Sequence, residues 1–317
     1  MKVKIGIILL MFPVLILAKN YVDLYNEGLT AIEKQNFSSA EKLFKQVIKN
    51  KKNYYPAYYN LGVLYLQQGK INAAGDIITK GLAYNSKDAD GYFLLASIFE
   101  KQKKLDAALQ NYEKAYSLNA KEKGVMTKLG RLYLQKNDAP SAIKWYKKAL
   151  NVDANDVLAH FGLANAYRLN HENNKAIEEY KQAIRLKPDY WKAYVNLGLA
   201  YSYVGQYENS ISSYEKAVKY NAQYPFTYYN MGNSYRALKK YKKAIENYLV
   251  AISMKSNFLE AYYNLACSYA LSKQSNEALE YIQKVIELNP KLKQKIAQDH
   301  DFMSLKKNTK FNNLIKE

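Results

Sequence analysis

The stretch KAYVNLGLAYSYVGQYENSISSYEKAV, residues 192–218, decides the fold because it places a glycine inside a strong helical pattern. A glycine within a helix costs about 1 kcal/mol relative to alanine, so Gly198 needs a compensating role. The phrase around it returns as YYNLG at 58–62, YYNMG at 228–232 and YYNLA at 262–266. Gly198 therefore belongs to a repeated unit.

Units of 34 residues account for most of the chain. Eight of them, aligned on the glycine phrase, cover residues 21–292 and begin at residues 21, 55, 89, 123, 157, 191, 225 and 259. Position 8 of each unit is always Gly or Ala, and position 20 is always Ala or Ser. A unit of this length packs only on its neighbours, so the chain grows in length and does not enclose one central core.

The periodicity within a unit predicts two helices. Positions 4, 7, 8 and 11 share one helical face, and in the opening stretch they are Tyr194, Leu197, Gly198 and Tyr201. Turn-forming runs such as QQGK, at 67–70, separate this helix from a second one. We expect the small residue at position 8 to let the second helix approach with its own small residue at position 20. Each unit is thus predicted to be an antiparallel helical hairpin.

These units resemble tetratricopeptide repeats. That family carries an aromatic residue, Leu, Gly or Ala, and Tyr at positions 4, 7, 8 and 11, followed by Ala, an aromatic residue, Ala and Pro at positions 20, 24, 27 and 32. Residues 157–190 match seven of these eight positions, and His160 is the departure. Other local departures are Ile78 and Gly81 in the second unit and Ile282 and Val285 in the eighth.

The resemblance implies an all-α fold, a right-handed α-solenoid or superhelix of helical hairpins with a C-terminal capping helix. The rhythm of the repeats stops after residue 292, and residues 293–317 keep scattered apolar residues among lysines. A terminal repeat must cover its apolar face. Residues 293–317 are therefore predicted to form the capping helix and a tail.

The first eighteen residues, MKVKIGIILLMFPVLILA, differ from everything that follows. Two lysines precede an apolar run, and Ala18 stands at a small-residue cleavage position, which is the layout of a secretory signal peptide. The alternative is an uncleaved membrane anchor, although the run is shorter than the about 20 residues of a spanning helix and contains Pro13. We therefore expect an exported protein of the periplasm or cell envelope.

The sequence shows no recognisable constellation of catalytic or metal-binding residues. His160, His171 and His300 form no i, i+4 pair and have no cysteine partners. The single cysteine, Cys267, lies in a predicted helix without an activating neighbour. We predict that the protein is not an enzyme and has no catalytic residues, no metal site and no cofactor.

The chain is strongly basic, with a formal net charge of +19, or +17 once Lys2 and Lys4 leave with the signal peptide. Lysines gather at predicted turns, as in 101–104 and 239–243. Such a surface attracts anionic partners, although a lysine-rich solvated surface without a partner would look the same. Export argues against nucleic acid. A basic docking module for an anionic envelope polymer or membrane surface is the runner-up function.

The face of the first helix opposite its packing residues is predicted to bind a partner. In the family, this face lines the concave groove of the superhelix. An asparagine can both donate to and accept from the backbone of an extended peptide, and an arginine can hold a carboxylate through two hydrogen bonds. The candidates lie at positions 5, 6, 9 and 12, and they are Asn26, Asn60, Asn196, Asn230, Asn264, Tyr59, Tyr229, Tyr263, Arg131, Arg168 and Arg236.

The predicted function is a non-enzymatic scaffold or adaptor that binds a protein or extended peptide in this groove. The row of asparagines resembles the groove of the O-linked N-acetylglucosamine transferase repeats. A consensus preference for Tyr and Asn at positions 5 and 6 would give the same row without a partner. Phe161 and Tyr229 stand where cochaperone repeats that clamp a C-terminal carboxylate carry lysine, so that clamp is not predicted.

The layout of the N-terminus predicts cleavage after Ala18, which would give a mature chain that begins at Lys19. Mass spectrometry of the exported protein should find the Lys19 terminus. An intact Met1 terminus would contradict the prediction and favour the uncleaved anchor.

Overall fold

The computed structural model describes residues 20–119 and 123–316, so the predicted signal peptide, residues 1–18, lies outside the described residues. The chain divides into two compact units, one up to Val125 and one from Met126 onward. All regular secondary structure in the described residues is helical. The prediction of an all-α fold built from helical hairpins is confirmed.

The first unit contains three hairpins. Its helices are α1 (Tyr21–Glu33), α2 (Phe37–Asn50), α3 (Tyr55–Gln67), α4 (Ile71–Tyr84), α5 (Ala89–Lys101) and α6 (Leu105–Leu118). Each odd-numbered helix packs on the even-numbered helix that follows it, and α2 and α4 also pack on the next hairpin. Each first helix begins at position 1 of a repeat and each second helix at position 17.

The second unit continues the same order of first and second helices. Its helices are α7 (Lys123–Gln135), which begins just before Met126, α8 (Ala139–Val152), α9 (Val157–Leu169), α10 (Asn173–Leu186), α11 (Trp191–Tyr203), α12 (Tyr207–Tyr220), α13 (Pro225–Ala237), α14 (Tyr241–Met254), α15 (Leu259–Leu271) and α16 (Ser275–Leu288). Neighbouring first helices touch along α9, α11, α13 and α15. Their side chains therefore form a shared face.

The turn inside each described hairpin contains a residue with a left-handed backbone at position 15. These residues are Gln35, Gly69, Lys103, Asn137, His171, Gly205, Lys239 and Lys273. Glycine adopts this conformation without the steric cost of about 1–2 kcal/mol that other residues meet. This conformation favours glycine at two of these positions, Gly69 in the predicted turn QQGK and Gly205 in repeat 6.

Gly198 is required by the ring of Tyr214 on the second helix of its hairpin. A Cβ atom at Gly198 would lie 2.7 Å from Cε1 of Tyr214 and within 2.9 Å of two further ring carbons. The small residues at positions 8 and 20, here Gly198 and Ser210, were expected to let the two helices approach until their tyrosines interlock. Ser210 is buried, and the atoms nearest to the gap at Gly198 belong to the ring at position 24.

The contact between position 8 and position 24 recurs along the chain. The pairs are Gly28 with Phe44, Gly62 with Ile78, Gly130 with Tyr146 and Gly232 with Tyr248. In repeat 5 the sequence instead combines Ala164 with the fully buried Tyr180. Repeat 5 therefore accommodates an alanine at position 8 together with a buried tyrosine at position 24.

The residues after α16 form a cap on the last repeat. It comprises α17 (Lys293–Gln298) and α18 (Thr309–Ile315), each preceded by a short 3-10 helix, at Pro290–Leu292 and His300–Leu305. Buried apolar residues of the cap join one cluster with residues of α15 and α16, and they are Ile296, Phe302, Leu305 and Phe311. The segment covers the last apolar face as predicted, although with two short α-helices where one was expected.

Replacing Gly198 with leucine should lower the free energy of unfolding by about 1–3 kcal/mol, because the new side chain and the ring of Tyr214 would compete for one space. Gly198→Ala is the matched control. It should cost much less, because Ala164 coexists with Tyr180 and alanine gains about 1 kcal/mol of helix propensity. Thermal and urea unfolding followed by circular dichroism measures both effects. A Gly198→Leu variant as stable as the parent chain would contradict the packing described.

Candidate functional site

The predicted partner-binding residues all lie on first helices, but they are divided between the two compact units. Asn26, Tyr59 and Asn60 belong to the first unit. The remaining residues belong to the second unit, and they are Arg131, Arg168, Asn196, Tyr229, Asn230, Arg236, Tyr263 and Asn264. Each group is described within its own unit.

In the first unit, the asparagine at position 6 joins neighbouring hairpins. Nδ2 of Asn60 donates to Oη of Tyr25 in the preceding repeat at 2.8 Å and to the carbonyl oxygen of Pro56 at 3.1 Å. Both amide hydrogens are thus engaged within the protein. Asn26, at the same position of the first repeat, is exposed to solvent.

Tyr59, which was predicted to line a binding groove, is buried in the structure. Only 8% of Tyr59 is exposed. Its ring fills the space left by two glycines, because a Cβ at Gly81 would lie 2.7 Å from Cε1 and a Cβ at Gly91 would lie 2.5 Å from Oη. Burial raises the pKa of this hydroxyl, which has no hydrogen-bond partner among the described residues. Gly81, where the family has alanine, was the sequence signal for this burial.

In the second unit, Asn264 makes the equivalent contact between hairpins. Its Nδ2 donates to Oη of Tyr229 at 3.3 Å and to Oδ1 of Asn233 at 2.8 Å. The ring of Tyr229 packs on Phe258, with the ring centroids 4.8 Å apart. Asn60 and Asn264 therefore stabilise the stacking of repeats, and their amide hydrogens are not free for a peptide backbone as the sequence analysis expected.

Asn196 and Asn230 remain partly exposed on the same face. Nδ2 of Asn196 donates to the carbonyl oxygen of Lys192, one turn earlier in the same helix, at 3.0 Å. Neither side chain bridges two repeats in the part of the chain that the structure describes. Together with Asn26, these are the predicted asparagines that a partner can reach.

A polar cluster that the helical periodicity did not predict lies on the first-helix face of repeat 7. Oη of Tyr248 donates to Oδ1 of Asn233 at 2.7 Å. The guanidinium of Arg236 lies beside the same hydroxyl. Burial raises the pKa of Tyr248, and the nearby Arg236 opposes part of this rise. We call Asn233, Arg236 and Tyr248 the repeat 7 cluster.

The same arrangement occurs in repeat 5. Oη of Tyr180 donates to Oδ1 of Asn165 at 2.6 Å. Burial raises the pKa of Tyr180 to about 12, against the opposing effect of the neighbouring Arg168 guanidinium. We call Asn165, Arg168 and Tyr180 the repeat 5 cluster. The sequence signal was the shared motif Asn-x-Tyr-Arg, NAYR in repeat 5 and NSYR in repeat 7.

Arg131 occupies a different setting, at position 9 of repeat 4. It is partly buried and lies close to Tyr146, the position 24 ring of its own hairpin. The end of that ring points at Gly162 of the next repeat, where any Cβ would overlap it. This contact explains why repeat 5 has glycine at position 6, where five of the other seven repeats have asparagine.

The cap places two carboxylates on the first-helix face of repeats 7 and 8. Oδ2 of Asp301 accepts a hydrogen bond from Nη1 of Arg236 at 2.6 Å, and Oδ2 of Asp299 accepts one from Oη of Tyr263 at 2.5 Å. The ring of Phe302 meets that of Tyr263 edge to face, with centroids 5.9 Å apart. Two residues predicted to bind a partner thus hold a segment of the same chain.

The cysteine thiol and the potential metal ligands of the described residues form no reactive site. Cys267 is buried, and burial with the nearby Asp301 and Asp299 carboxylates raises its thiol pKa, so the thiolate is disfavoured. The described residues contain no group of three His, Cys, Asp or Glu side chains that could hold a metal ion. In residues 20–119 and 123–316, every helix is too short or too polar to cross a bilayer.

Family models match most of the chain. The model described as TPR repeat matches residues 130–171, 164–202, 203–238 and 232–273. Models described as tetratricopeptide repeat match residues 31–98, 89–122 and 259–292. No protein in the comparison with curated proteins matches the chain.

Solved structures share the fold. The C-terminal part of a TPR repeat-containing protein from Cytophaga hutchinsonii is 18% identical, with 76% of this chain and 99% of that chain covered and a TM-score of 0.63. A MamA protein is 30% identical, with 54% of this chain and 94% of that chain covered and a TM-score of 0.50. YrrB, described as a TPR protein with an unusual peptide-binding site, is 21% identical, with 56% and 92% covered and a TM-score of 0.50.

Replacing Asn264 with alanine should lower the free energy of unfolding by about 1 kcal/mol for each of the two hydrogen bonds between repeats that it loses. Asn230→Ala is the matched control at the same position of the preceding repeat, and it should change stability little. Urea unfolding of the two variants measures the difference. Equal stabilities would mean that these hydrogen bonds do not hold the repeats together.

Proposed function

Because the chain belongs to the tetratricopeptide-repeat family, we propose that it is a non-enzymatic scaffold or adaptor that binds a protein or extended peptide on its first-helix face. The observation that carries the proposal is the docking of the cap. An ion pair, a tyrosine–carboxylate hydrogen bond and an aromatic contact hold residues 299–302 on α13 and α15. On α9, Phe161 and Arg168 occupy the repeat positions that Tyr229 and Arg236 occupy on α13.

The exposed polar residues of the second unit are the proposed contacts for the partner. Asn196 and Asn230 offer amide groups that can pair with a peptide backbone. Arg168 adds a positive charge on the same row of first helices. The likeness of the fold to YrrB supports peptide binding as the class of function, and the residues that bind are argued from this chain alone.

The absence of enzymatic activity is part of the proposal. It is supported by the membership of a family whose repeats serve as interaction surfaces and by the assignment of nearly all described residues to helical hairpins. The buried, protonated thiol of Cys267 offers no nucleophile.

Binding of an anionic envelope polymer or membrane surface is a second proposal, which rests on lysines. Lys242 and Lys243 are exposed at the start of α14, and the whole chain carries a net charge of +19. The exported location is likewise proposed from the sequence of residues 1–18, with an anchored form as the alternative. In either form the partner is a component of the periplasm or cell envelope.

Two pairs of substitutions distinguish the two proposals once a partner has been captured from envelope extracts with residues 19–317 as bait. Asn196→Ala with Asn230→Ala should weaken binding by about fivefold for each hydrogen bond lost, because such a bond contributes about 1 kcal/mol. Lys242→Gln with Lys243→Gln should have little effect. Isothermal titration calorimetry at 0.15 M and 0.5 M salt measures both.

The opposite pattern would show that the partner binds to the lysine surface and not to the first-helix face. In that case affinity would ignore the asparagine variants, fall with the lysine variants and collapse at high salt, because exposed charges are screened within about 8 Å at physiological ionic strength.

A further inference from the structure

The clusters of repeats 5 and 7 use the same residue types at the same three positions. In each, the asparagine at position 9 accepts a hydrogen bond from the tyrosine at position 24, at 2.6 Å in repeat 5 and 2.7 Å in repeat 7. In each, the arginine at position 12 lies against that tyrosine hydroxyl. The buried tyrosine thereby fixes where the guanidinium sits on the first-helix face.

The two clusters differ in whether a carboxylate is present. In repeat 7, Asp301 of the cap accepts a hydrogen bond from Nη1 of Arg236. In repeat 5, Arg168 pairs with no carboxylate among the described residues, and its Nε is buried without a hydrogen-bond partner. The enclosed Nε is out of reach of a ligand, so a carboxylate would pair with the exposed part of the Arg168 guanidinium, as Asp301 pairs with Nη1 of Arg236.

The position of the cap explains the difference. The cap packs on α15 and α16, and its Asp301 accepts a hydrogen bond from Arg236 on α13. Arg168 lies on α9, two repeats earlier in the same unit. Its side chain is partly exposed and open to a second molecule.

We propose that the repeat 5 cluster binds the carboxylate of an aspartate or glutamate side chain in a segment of a protein partner. Arg168 donates to the carboxylate, as Arg236 donates to Asp301, while Tyr180, which is hydrogen-bonded to Asn165, lies against the guanidinium. A planar guanidinium with several fixed donors suits a carboxylate better than an ammonium group does. The site deepens the proposed function, on which it rests, by naming the chemistry of the partner.

The cap segment itself supplies a probe of known chemistry. A synthetic peptide with the sequence of residues 296–305, IAQDHDFMSL, carries both cap aspartates. A second peptide, with both aspartates changed to asparagine, keeps the length and the aromatic residue. The probe is read by NMR spectroscopy. The chain has only four arginines, Arg131, Arg168, Arg185 and Arg236, so the arginine Nε–Hε region of the ¹H–¹⁵N spectrum of a ¹⁵N-labelled sample holds few signals.

The acidic peptide should shift the Nε–Hε signal of Arg168 saturably, and the asparagine peptide should not. The signal of Arg236 should stay in place, because Asp301 of the same chain occupies it at high effective concentration. The variant Asp301→Asn removes that occupant, and the Arg236 signal should then respond as well. This response is the positive control for recognition of a carboxylate by such a cluster.

The variant Arg168→Gln should bind the acidic peptide at least tenfold more weakly than the parent chain does. Arg185→Gln is the matched control, since it removes one positive charge from an exposed site on the second helix of the same repeat. It should leave the affinity within twofold of the parent chain. Circular dichroism checks that both variants are folded.

Three results would overturn the inference. They are an Arg168 signal that ignores the acidic peptide, an equal response to both peptides, and equal losses of affinity in Arg168→Gln and Arg185→Gln. If one of these results is obtained while binding of a captured partner still requires Asn196 and Asn230, only the proposed carboxylate site is overturned. If the partner ignores those asparagines too, the proposed function fails with it.

Discussion

One contact underlies the rest of the structure: in the five repeats with glycine at position 8 of the first helix, the side chain at position 24 of the second helix lies over that glycine, and in four of them it is an aromatic ring. The space at Gly198 exists for the ring of Tyr214, and the pair of Gly232 and Tyr248 repeats the geometry. The contact brings the two helices of a hairpin together and offsets the helix propensity that glycine loses. When the ring is a tyrosine, its hydroxyl reaches beyond the small residue to positions 9 and 12 on the first-helix face.

This reach links the packing of a hairpin to the chemistry of its surface. Where position 24 has no hydroxyl, position 9 is apolar or a buried cysteine, and the pairs are Phe44 with Leu29, Ile78 with Val63 and Ile282 with Cys267. Where position 24 is a tyrosine, position 9 supplies a polar partner in most repeats, as Ser97 does for Tyr112 at 2.9 Å. Repeat 6 is the exception, because Leu199 stands at position 9 and the buried hydroxyl of Tyr214 has no hydrogen-bond partner among the described residues.

The hairpins could be predicted from the repeat period, because that period depends on contacts within one unit or between neighbours of fixed spacing. The burial of Tyr59 was missed because its position on a helical wheel favours exposure, whereas Gly81 and Gly91 open a space for its ring from two other helices. The role of Asn264 was missed for a related reason, since its partner Tyr229 lies 35 residues away on the preceding hairpin. The ion pair of Arg236 with Asp301 spans 65 residues and follows from no periodicity.

The tyrosine hydroxyl at position 24 connects the core of a hairpin to its polar face, and substitution of tyrosine by phenylalanine tests this connection most directly. Tyr180→Phe keeps the ring and removes the hydroxyl bonded to Asn165, so urea unfolding should show a loss of about 1 kcal/mol. Tyr214→Phe removes a hydroxyl without a partner, so stability should stay the same or rise. Equal losses in the two variants, or a larger loss in Tyr214→Phe, would contradict the account.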